Sequence, residues 1–424
     1  MNNLLSVVER QRNEIEGKLK QRIIEREVPE SFKRDIEKDI IKIITGVRRS
    51  GKSTLALLLL KGKNFGYLNF DEKELIDQRL DDLLSGIKEV YGNVSFLLLD
   101  EIQNVKGWEL WVNSLQRRGY NLIITGSNAK LLSKELSTHI TGRYIELENF
   151  PFNFREFVAF KNFSIEELKS NKEKEGEVKR ILREYLSKGG FPEYIVKELD
   201  QSYLQTLFHS IIFSDVVKRW NVRYPSKIED LARYLISISS NEYSATKLRN
   251  LLNFRSTLTV EKYIGYIKEA YLIFTLERFS FKAKEFLKAP KKVYVVDNGL
   301  KNAISQKTSE EIGSAIENLV FLELKRKGLK ENKNIFYLKL NNDGEVDFLI
   351  KEGLETKQLI QVTYASNKDE IEKREIKALK KASDLLDCKN LVCITWDYED
   401  ELKEEGKTIK FIPLWKWLLS KYFR

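Results

Sequence analysis

The sequence predicts an α/β protein with a parallel sheet in its N-terminal part and a second α/β part at the end of the chain. Two observations lead to this prediction. Short apolar runs rich in β-formers alternate with helical runs over residues 40–160, and a mixed pattern returns from Val293 onward. Strands that alternate with helices are joined by right-handed crossovers, which give a parallel sheet covered on both faces.

The elements follow in chain order from local pattern. Residues 1–36 mix both charges at close spacing and predict a solvated helical arm. Residues 161–235 look helical throughout apart from a break at 189–192, and residues 241–290 hold two helical patterns followed by a short β-like segment. The core strands are expected at Ile41–Thr45, Phe65–Asn69, Ser95–Leu99, Leu122–Thr125 and Tyr144–Leu147.

Composition excludes a disordered chain and a disulfide framework. The 424 residues are 42% hydrophobic and 32% charged, with two cysteines, so packed cores are possible and a disulfide scaffold is not. The longest aliphatic run, Leu55–Leu60, is far shorter than the roughly 20 residues that span a bilayer. We therefore expect a cytoplasmic protein with no membrane partner.

The formal charge of +10 permits an acidic partner such as nucleic acid but does not demand one. The excess is uneven, because residues 231–290 hold ten Lys or Arg against five Glu. If nucleic acid binds, we expect it in this segment first, although a solvated lysine-rich face has the same composition.

A phosphate-binding loop follows the first predicted strand. Residues 46–54 read GVRRSGKST, which is the full G-x-x-x-x-G-K-[ST] pattern between a strand and a helix. The nucleotide-binding residues are expected to be Gly46, Val47, Arg48, Arg49, Ser50, Gly51, Lys52, Ser53 and Thr54. Backbone N–H groups of such a loop cradle phosphate, its lysine reaches the β- and γ-phosphates, and its Ser53 hydroxyl faces Mg²⁺. The motif thus implies ATP and Mg²⁺ as cofactors.

Two carboxylates end the third predicted strand. Asp100 follows the apolar run SFLLL, and Glu101 comes next. Asp100 is expected to hold Mg²⁺ and Glu101 to activate the attacking water, which favours a hydrolase over a transferase. An ordinary acidic turn is the alternative.

Two further catalytic candidates lie downstream. Asn128, with Ser127 beside it, follows the strand at 122–125 and is placed to touch the γ-phosphate or the water, although a simple turn residue is as good an explanation. Arg143 is placed to act as an arginine finger, in cis or from a neighbouring subunit. A surface ion pair is the alternative for Arg143.

The segment at 244–270 has a helix–turn–helix pattern followed by a β-like wing. It coincides with the basic cluster. Packing or oligomer contacts are the alternative to DNA binding here. The expected DNA contacts are Arg249, Arg255, Lys262 and Lys268.

The runs GVRRSGKST, LLLDEIQNVKGWE, ITGSNAKLL and TGRYIELENFPFNFREF resemble the AAA-superfamily ATPases often called the archaeal ATPase family. The likeness continues in YLSKGGFPEYIV, IENLVFLEL, GEVDFLI and LIQVTY, so it covers nearly the whole chain. The family implies an ATPase core, a helical lid, a winged helix and a C-terminal domain related to PD-(D/E)XK nucleases, which is a restriction-endonuclease-like α/β fold. It also agrees with the functions given above to Glu101, Asn128 and Arg143. The domain ranges we expect are 1–36 (arm), 37–160 (core), 161–235 (lid), 236–290 (winged helix) and 291–424 (C-terminal domain).

The C-terminal carboxylates resemble a metal-nuclease pattern with two departures. Glu317 lies on a helical run and Asp347 on a strand, but Gln361 replaces the third carboxylate and Thr363 the lysine. Such a site needs carboxylates for Mg²⁺ and a lysine near the scissile phosphate. A lysine from elsewhere, for example Lys339, is one way to restore it. We therefore expect a degenerate nuclease site at Glu317, Asp347 and Gln361.

Three functions remain open from sequence. The leading hypothesis is an ATP-hydrolysing, homo-oligomeric protein that couples nucleotide state to a conformational change, acting on DNA or on an unidentified protein client. The first alternative is a nucleotide-gated interaction protein with little turnover, and the second is a DNA nuclease that uses the C-terminal domain.

Overall fold

The computed structural model describes residues 2–127, 144–165, 172–282, 289–305, 312–340 and 344–420. Within these ranges the chain divides into two compact units. Unit 1 comprises residues 1–151 and 269–271, and unit 2 comprises the remaining residues.

Unit 1 is built around a five-stranded parallel sheet, as the sequence predicts. Its strands are β1 (Ile41–Thr45), β2 (Phe65–Asn69), β3 (Phe96–Asp100), β4 (Asn121–Gly126) and β5 (Tyr144–Glu148), in the spatial order β2-β3-β4-β1-β5. All neighbours are parallel, with Ile44 opposite Thr125 and Tyr67 opposite Leu98. The carboxyl ends of β1, β3 and β4 therefore meet at one edge of the sheet.

Helices enclose this sheet because their apolar faces need cover. They are α1 (Asn2–Lys20), α2 (Glu30–Arg34), α3 (Lys52–Leu59), α4 (Lys73–Ile76), α5 (Leu80–Tyr91) and α6 (Trp108–Arg117). The expectation of a solvated arm is wrong for α1, because Leu4, Val7 and Val8 are buried in the core beside β-strand and α5 residues. The closely spaced charges suggested a solvated helix, but apolar residues that recur at the helical period form a stripe on one face of α1, and this face is buried.

Unit 2 starts with a helical series. It contains α7 (Phe154–Phe160), α8 (Lys172–Lys188), α9 (Pro192–Val196), α10 (Ser202–Ser210), a π-helix at Ile211–Lys218, and α11 (Pro225–Ser237). The helical pattern expected at 161–235 is present from Lys172 onward, whereas residues 161–165 are not helical and residues 166–171 lie outside the described residues. The first long helix, α8, ends before the Gly189-Gly190 break.

A short three-stranded antiparallel sheet follows, in the spatial order β6-β8-β7. In chain order its elements are β6 (Glu242–Tyr243), α12 (Ala245–Leu251), α13 (Thr257–Glu269), β7 (Ile273–Leu276) and β8 (Lys291–Val295). The β-like segment that the sequence predicts at Leu276–Phe281 is instead β7, which begins three residues earlier and ends at Leu276, because residues 273–276 are the buried ones.

The rest of unit 2 is a second α/β layer, with the mixed sheet order β13-β14-β12-β11-β10-β9. The elements are α14 (Asn298–Ile304), α15 (Ile312–Arg326), β9 (Ile335–Leu340), β10 (Gly344–Glu352), β11 (Glu355–Val362), α16 (Lys373–Leu386), β12 (Leu391–Thr395), β13 (Asp400–Glu404), β14 (Lys407–Pro413) and α17 (Leu414–Leu419).

Candidate functional site

The loop at 46–54 joins β1 to α3 in unit 1. Gly51 precedes the first residue of α3 and has φ 90°, a left-handed conformation that favours glycine. Lys52 and Ser53 therefore occupy the first turn of the helix, where free backbone N–H groups and the helix dipole attract anions. This is the geometry that a phosphate-binding loop needs.

Two residues outside the motif hold the loop in place. Asn149 Nδ2 donates to the carbonyl of Ser50 at 2.9 Å and to its hydroxyl at 3.0 Å. Arg26 Nη1 donates to the same carbonyl at 3.0 Å, and its Nη2 donates to Phe150 O at 2.6 Å. A Cβ on Gly46 would lie 2.1 Å from Asn149 O, so a side chain there would collide with this support.

Lys52 is buried at the centre of the loop, with 4% of its side chain exposed. Its Nζ donates to Gly46 O at 3.3 Å and to Val47 O at 3.4 Å, and it lies 3.6 Å from Glu101 Oε1. The ammonium thus faces the carboxylate that the sequence assigns as the base. The structure brings these two residues together from separate motifs.

Asp100 is fully buried at the end of β3 and accepts three side-chain hydrogen bonds. Ser53 Oγ donates to Oδ1 at 2.9 Å, Tyr67 OH donates to Oδ2 at 3.0 Å, and Thr125 Oγ1 donates to Oδ1. Burial raises the pKa of Asp100, and the neighbouring charge of Glu101 raises it further. A cation beside this carboxylate would favour its ionised form.

Glu101 has φ 51° and ψ 41°, a left-handed conformation uncommon for a residue with a side chain. Its backbone N–H donates to Thr125 Oγ1 at 3.1 Å. Gln103 Nε2 donates to Glu101 Oε2 at 2.5 Å, and Ser127 Oγ donates to the same atom at 3.4 Å. Burial pushes the pKa of Glu101 up, but Lys52 and these donors outweigh it, so its pKa lies below the ordinary value. Glu101 is therefore held ionised, as a general base must be.

The oxygens of Ser53 and Asp100 fit Mg²⁺, because hard hydroxyl and carboxylate ligands suit this ion. The ion would replace the hydrogen bond that now joins them. Across the part of the chain that the structure describes, no group of three or more His, Cys, Asp or Glu side chains is arranged to hold a metal ion. Mg²⁺ here would thus depend on oxygens from nucleotide and water as well.

Asn128 and Arg143 lie outside the described residues, so their placement stays a prediction. Ser127, the neighbour of Asn128, is described and contacts Glu101. Sequence reasoning missed Arg26, Tyr67, Thr125 and Asn149 as parts of the site. Only Thr125 carried a signal, as the last polar residue of a predicted strand.

The predicted DNA contacts are spread over α12, α13 and the turn between them. Arg249 lies on α12 and donates to Asn250 Oδ1 at 2.8 Å, Arg255 is exposed in the turn, and Lys262 is exposed on α13. Lys268 is half-buried near the end of α13. One of these cations lies beside an aromatic pair, because Lys262 Nζ is 5.8 Å from the centroid of Tyr266 and Trp220 stacks on the Tyr266 ring with centroids 4.5 Å apart.

The C-terminal candidates form a cluster around a lysine that was not predicted. Lys292 Nζ lies 2.8 Å from Glu317 Oε1 and 3.1 Å from Asp347 Oδ1. Lys339, offered above as the replacement lysine, instead pairs with Glu242 at 2.8 Å. Gln361 is buried beside this cluster on β11, and its Oε1 accepts no hydrogen bond. Sequence spacing found Glu317 and Asp347 but not Lys292, since Lys292 reaches the cluster from the separate three-stranded sheet.

Burial is the main cause of the raised pKa values of the glutamates in this cluster. It raises the pKa of Glu317 to about 7 although Lys292 opposes the shift, and it raises the pKa of Glu345 in the same direction. The many carboxylates raise the pKa of Lys292 well above its ordinary value despite burial, so Lys292 carries its charge.

No helix in the described ranges has both the length and the apolar character needed to traverse a bilayer.

Three family descriptions match successive parts of the chain. Residues 38–158 match "AAA domain", residues 179–311 match "Domain of unknown function (DUF8612)" and residues 312–417 match "Domain of unknown function (DUF4143)".

Two relatives match over almost the whole length. One is the uncharacterized protein MJ1544 of Methanocaldococcus jannaschii, 42% identical over 91% of this chain and 91% of the relative. The other is an uncharacterized protein of Haemophilus influenzae, 30% identical over 90% of this chain and 95% of the relative. Among solved structures, the Walker-type ATPase PABY2304 of Pyrococcus abyssi is 15% identical over 66% of this chain and 96% of that one, with a TM-score of 0.42.

Proposed function

The chain belongs to the family of MJ1544 and carries an AAA-type ATPase domain, and from this premise we propose that it binds Mg²⁺·ATP at residues 46–54 and hydrolyses it. The observation that carries the proposal is the single contact network of Lys52, Ser53, Asp100 and Glu101, which joins both motifs at one sheet edge. Thr125 ties the network together, because it contacts Asp100 through its hydroxyl and also accepts from the Glu101 backbone.

In the proposed reaction Lys52 leaves Glu101 and contacts the β- and γ-phosphates, while the backbone N–H groups of the loop surround them. Bound Mg²⁺ supplies positive charge to the phosphate oxygens. Glu101, freed from Lys52 but still held by Gln103, accepts a proton from the attacking water. Nucleotide binding would therefore release the base from its ion pair.

Replacing Lys52 by Ala tests nucleotide binding directly. We expect the Kd for ATP to rise about 10- to 100-fold, because a hydrogen bond to a charged group contributes about 1.5–3 kcal/mol. Titration with a fluorescent ATP analogue measures this change. Lys61→Ala, just beyond α3, is the matched control and should bind as wild type does.

Equal affinity and equal turnover in wild type and Lys52→Ala would contradict the proposal. Tight binding in wild type with no turnover at saturating ATP would instead favour the nucleotide-gated interaction protein.

The same proposal extends to a homo-oligomer in which Arg143 acts as a finger and Asn128 contacts the γ-phosphate or the water. We also propose the domain ranges given above and a cytoplasmic location. In this proposal the lid and the winged helix transmit the nucleotide state of the ATPase core to the C-terminal domain. The order α11, β6, α12, α13, β7, β8, with its three-stranded antiparallel sheet, supports a winged helix in this part of the chain.

A second candidate function is DNA binding by unit 2. The observation that favours it is a set of aromatic rings with cationic side chains beside them. The Arg223 guanidinium lies 5.3 Å from the ring centroid of Tyr224, a residue that is 43% exposed, and Lys262 Nζ lies 5.8 Å from the ring centroid of Tyr266. Exposed aromatic faces stack on bases, and cations beside them contact phosphates.

Replacing Tyr224 by Ala should weaken binding of a fluorescent DNA oligonucleotide about 5- to 100-fold, since stacking of one base contributes about 1–3 kcal/mol. Fluorescence anisotropy at two salt concentrations measures both affinity and its salt dependence. Tyr364→Ala, which removes a tyrosine that is 46% exposed elsewhere in unit 2, is the matched control. An affinity for DNA that does not change with salt concentration would contradict DNA binding at this surface. Equal losses of affinity in the two variants would contradict it as well.

A further inference from the structure

Lys292 is surrounded by three carboxylates in unit 2. Its Nζ lies 2.8 Å from Glu317 Oε1, 2.5 Å from Glu345 Oε1 and 3.1 Å from Asp347 Oδ1. Only 5% of the Lys292 side chain is exposed. A lysine is almost never buried unless it is paired, and here one ammonium is shared by carboxylates from one helix and one strand.

The carboxylates are also held from outside the ion pairs. Tyr294 OH donates to Glu317 Oε1 at 2.8 Å, and the Val362 backbone N–H donates to Asp347 Oδ2 at 2.9 Å. Tyr294 itself stacks on Phe321 with ring centroids 4.1 Å apart, which fixes its hydroxyl. The cluster is thus a built arrangement in which each oxygen named here already has a partner.

We propose that Lys292 is a permanent internal cation that takes the place of a divalent metal ion in this carboxylate cluster. Three acidic side chains that converge in a nuclease-like pattern are the kind of ligand set that binds a divalent metal ion. In this structure the position between them is filled by the Lys292 ammonium. A divalent ion at contact distance from the same oxygens would lie within a few ångströms of Lys292, and the two like charges would repel each other strongly in a buried site.

The remaining donors agree with this assignment. The third position of the pattern is Gln361, which brings no negative charge to offset a second cation. The described residues also contain no group of acidic, His or Cys side chains in a metal-holding arrangement. This part of the chain thus has carboxylates in a nuclease-like pattern, with the Lys292 ammonium in the place of a metal centre.

Counting Mn²⁺ ions on the full-length protein without nucleotide tests the proposal. Electron paramagnetic resonance of free Mn²⁺ gives the number bound per chain. Wild type and Asp347→Asn should bind the same number, because Lys292 already occupies the cluster. Lys292→Ala should bind one more Mn²⁺ than wild type, and Mn²⁺ should raise its Tm.

Lys291→Ala is the matched control, since the neighbouring Lys291 is 38% exposed and pairs only with Glu277 among the ion pairs resolved in the described ranges. It should gain no Mn²⁺ site. One more Mn²⁺ on wild type than on Asp347→Asn would overturn the proposal, as would a folded Lys292→Ala that gains none. The number of Mn²⁺ ions bound by wild type and by Asp347→Asn tests the proposal even if Lys292→Ala does not fold. None of these readouts uses ATP, so they stand apart from the proposed ATPase activity.

Discussion

Replacing Glu101 by Gln should lower kcat for ATP about 100- to 10,000-fold while leaving the affinity for ATP close to that of wild type. The amide keeps the size of the side chain and still accepts a hydrogen bond from Gln103, but it cannot take the proton of the attacking water. Positioned general bases contribute rate factors of about this size. Steady-state phosphate release and binding of a fluorescent ATP analogue measure the two quantities separately.

The control is Glu109→Gln on α6, which changes a glutamate of the same unit outside the network around Asp100. It should keep wild-type turnover. A Glu101→Gln variant that hydrolyses ATP at the wild-type rate would show that another group activates the water. A variant that loses ATP binding as well would show that Glu101 is needed to hold the loop, through its contact with Lys52.

The sequence predicts the elements and the convergence of the candidate site best where the information is local. β1 and β2 have the predicted bounds, and Lys52, Ser53, Asp100 and Glu101 converge as their motifs imply. These motifs work because one short stretch supplies the strand, the turn and the functional side chain together. A buried strand of a parallel sheet is also an uninterrupted apolar run, which is easy to recognise.

The supports of the site are not predictable in this way. Asn149 and Arg26 reach the loop at Ser50 from 99 and 24 residues away, so no local pattern records the contact. In the sequence Tyr67 looks like any other apolar residue of a core strand. Only the fold shows that its hydroxyl donates a hydrogen bond to Asp100. Side chains that act through tertiary contact need the topology before they can be assigned.

The C-terminal cluster shows the same limit. The spacing of Glu317 and Asp347 gave the carboxylates, but Lys292 lies 25 residues before Glu317 and on a different sheet. The sequence suggested that a lysine was missing from the pattern. The structure shows that Lys292 is present at the carboxylates and contacts Glu317, Glu345 and Asp347 at once, an arrangement that suits charge compensation and is in keeping with the expected degenerate site.

Replacing Asn318 by Leu should have the largest effect on stability, lowering the free energy of unfolding of unit 2 by about 3–5 kcal/mol. Asn318 lies fully buried on α15, next to Glu317. Its Oδ1 accepts from Ser239 Oγ at 3.0 Å and from Val295 N at 2.8 Å, and its Nδ2 donates to Val295 O at 3.0 Å and to Asn298 Oδ1 at 2.9 Å. Leucine has nearly the same volume but satisfies none of these groups.

The size of the loss follows from how many buried partners are left without a hydrogen bond. Each unsatisfied buried group costs about 1–3 kcal/mol, while the added apolar contact returns part of that. Urea denaturation followed by circular dichroism measures the change, with Asn302→Leu as control. Asn302 is only half-buried on α14 and donates to Ser187 O at 2.8 Å, so water can replace that bond and the loss should stay below about 1 kcal/mol. Equal shifts in the two variants would mean that the Asn318 network adds nothing beyond ordinary packing. Since this network joins β8 to α15, which carry Lys292 and Glu317, a loss specific to Asn318→Leu would show that the junction of these two elements contributes to the stability of unit 2.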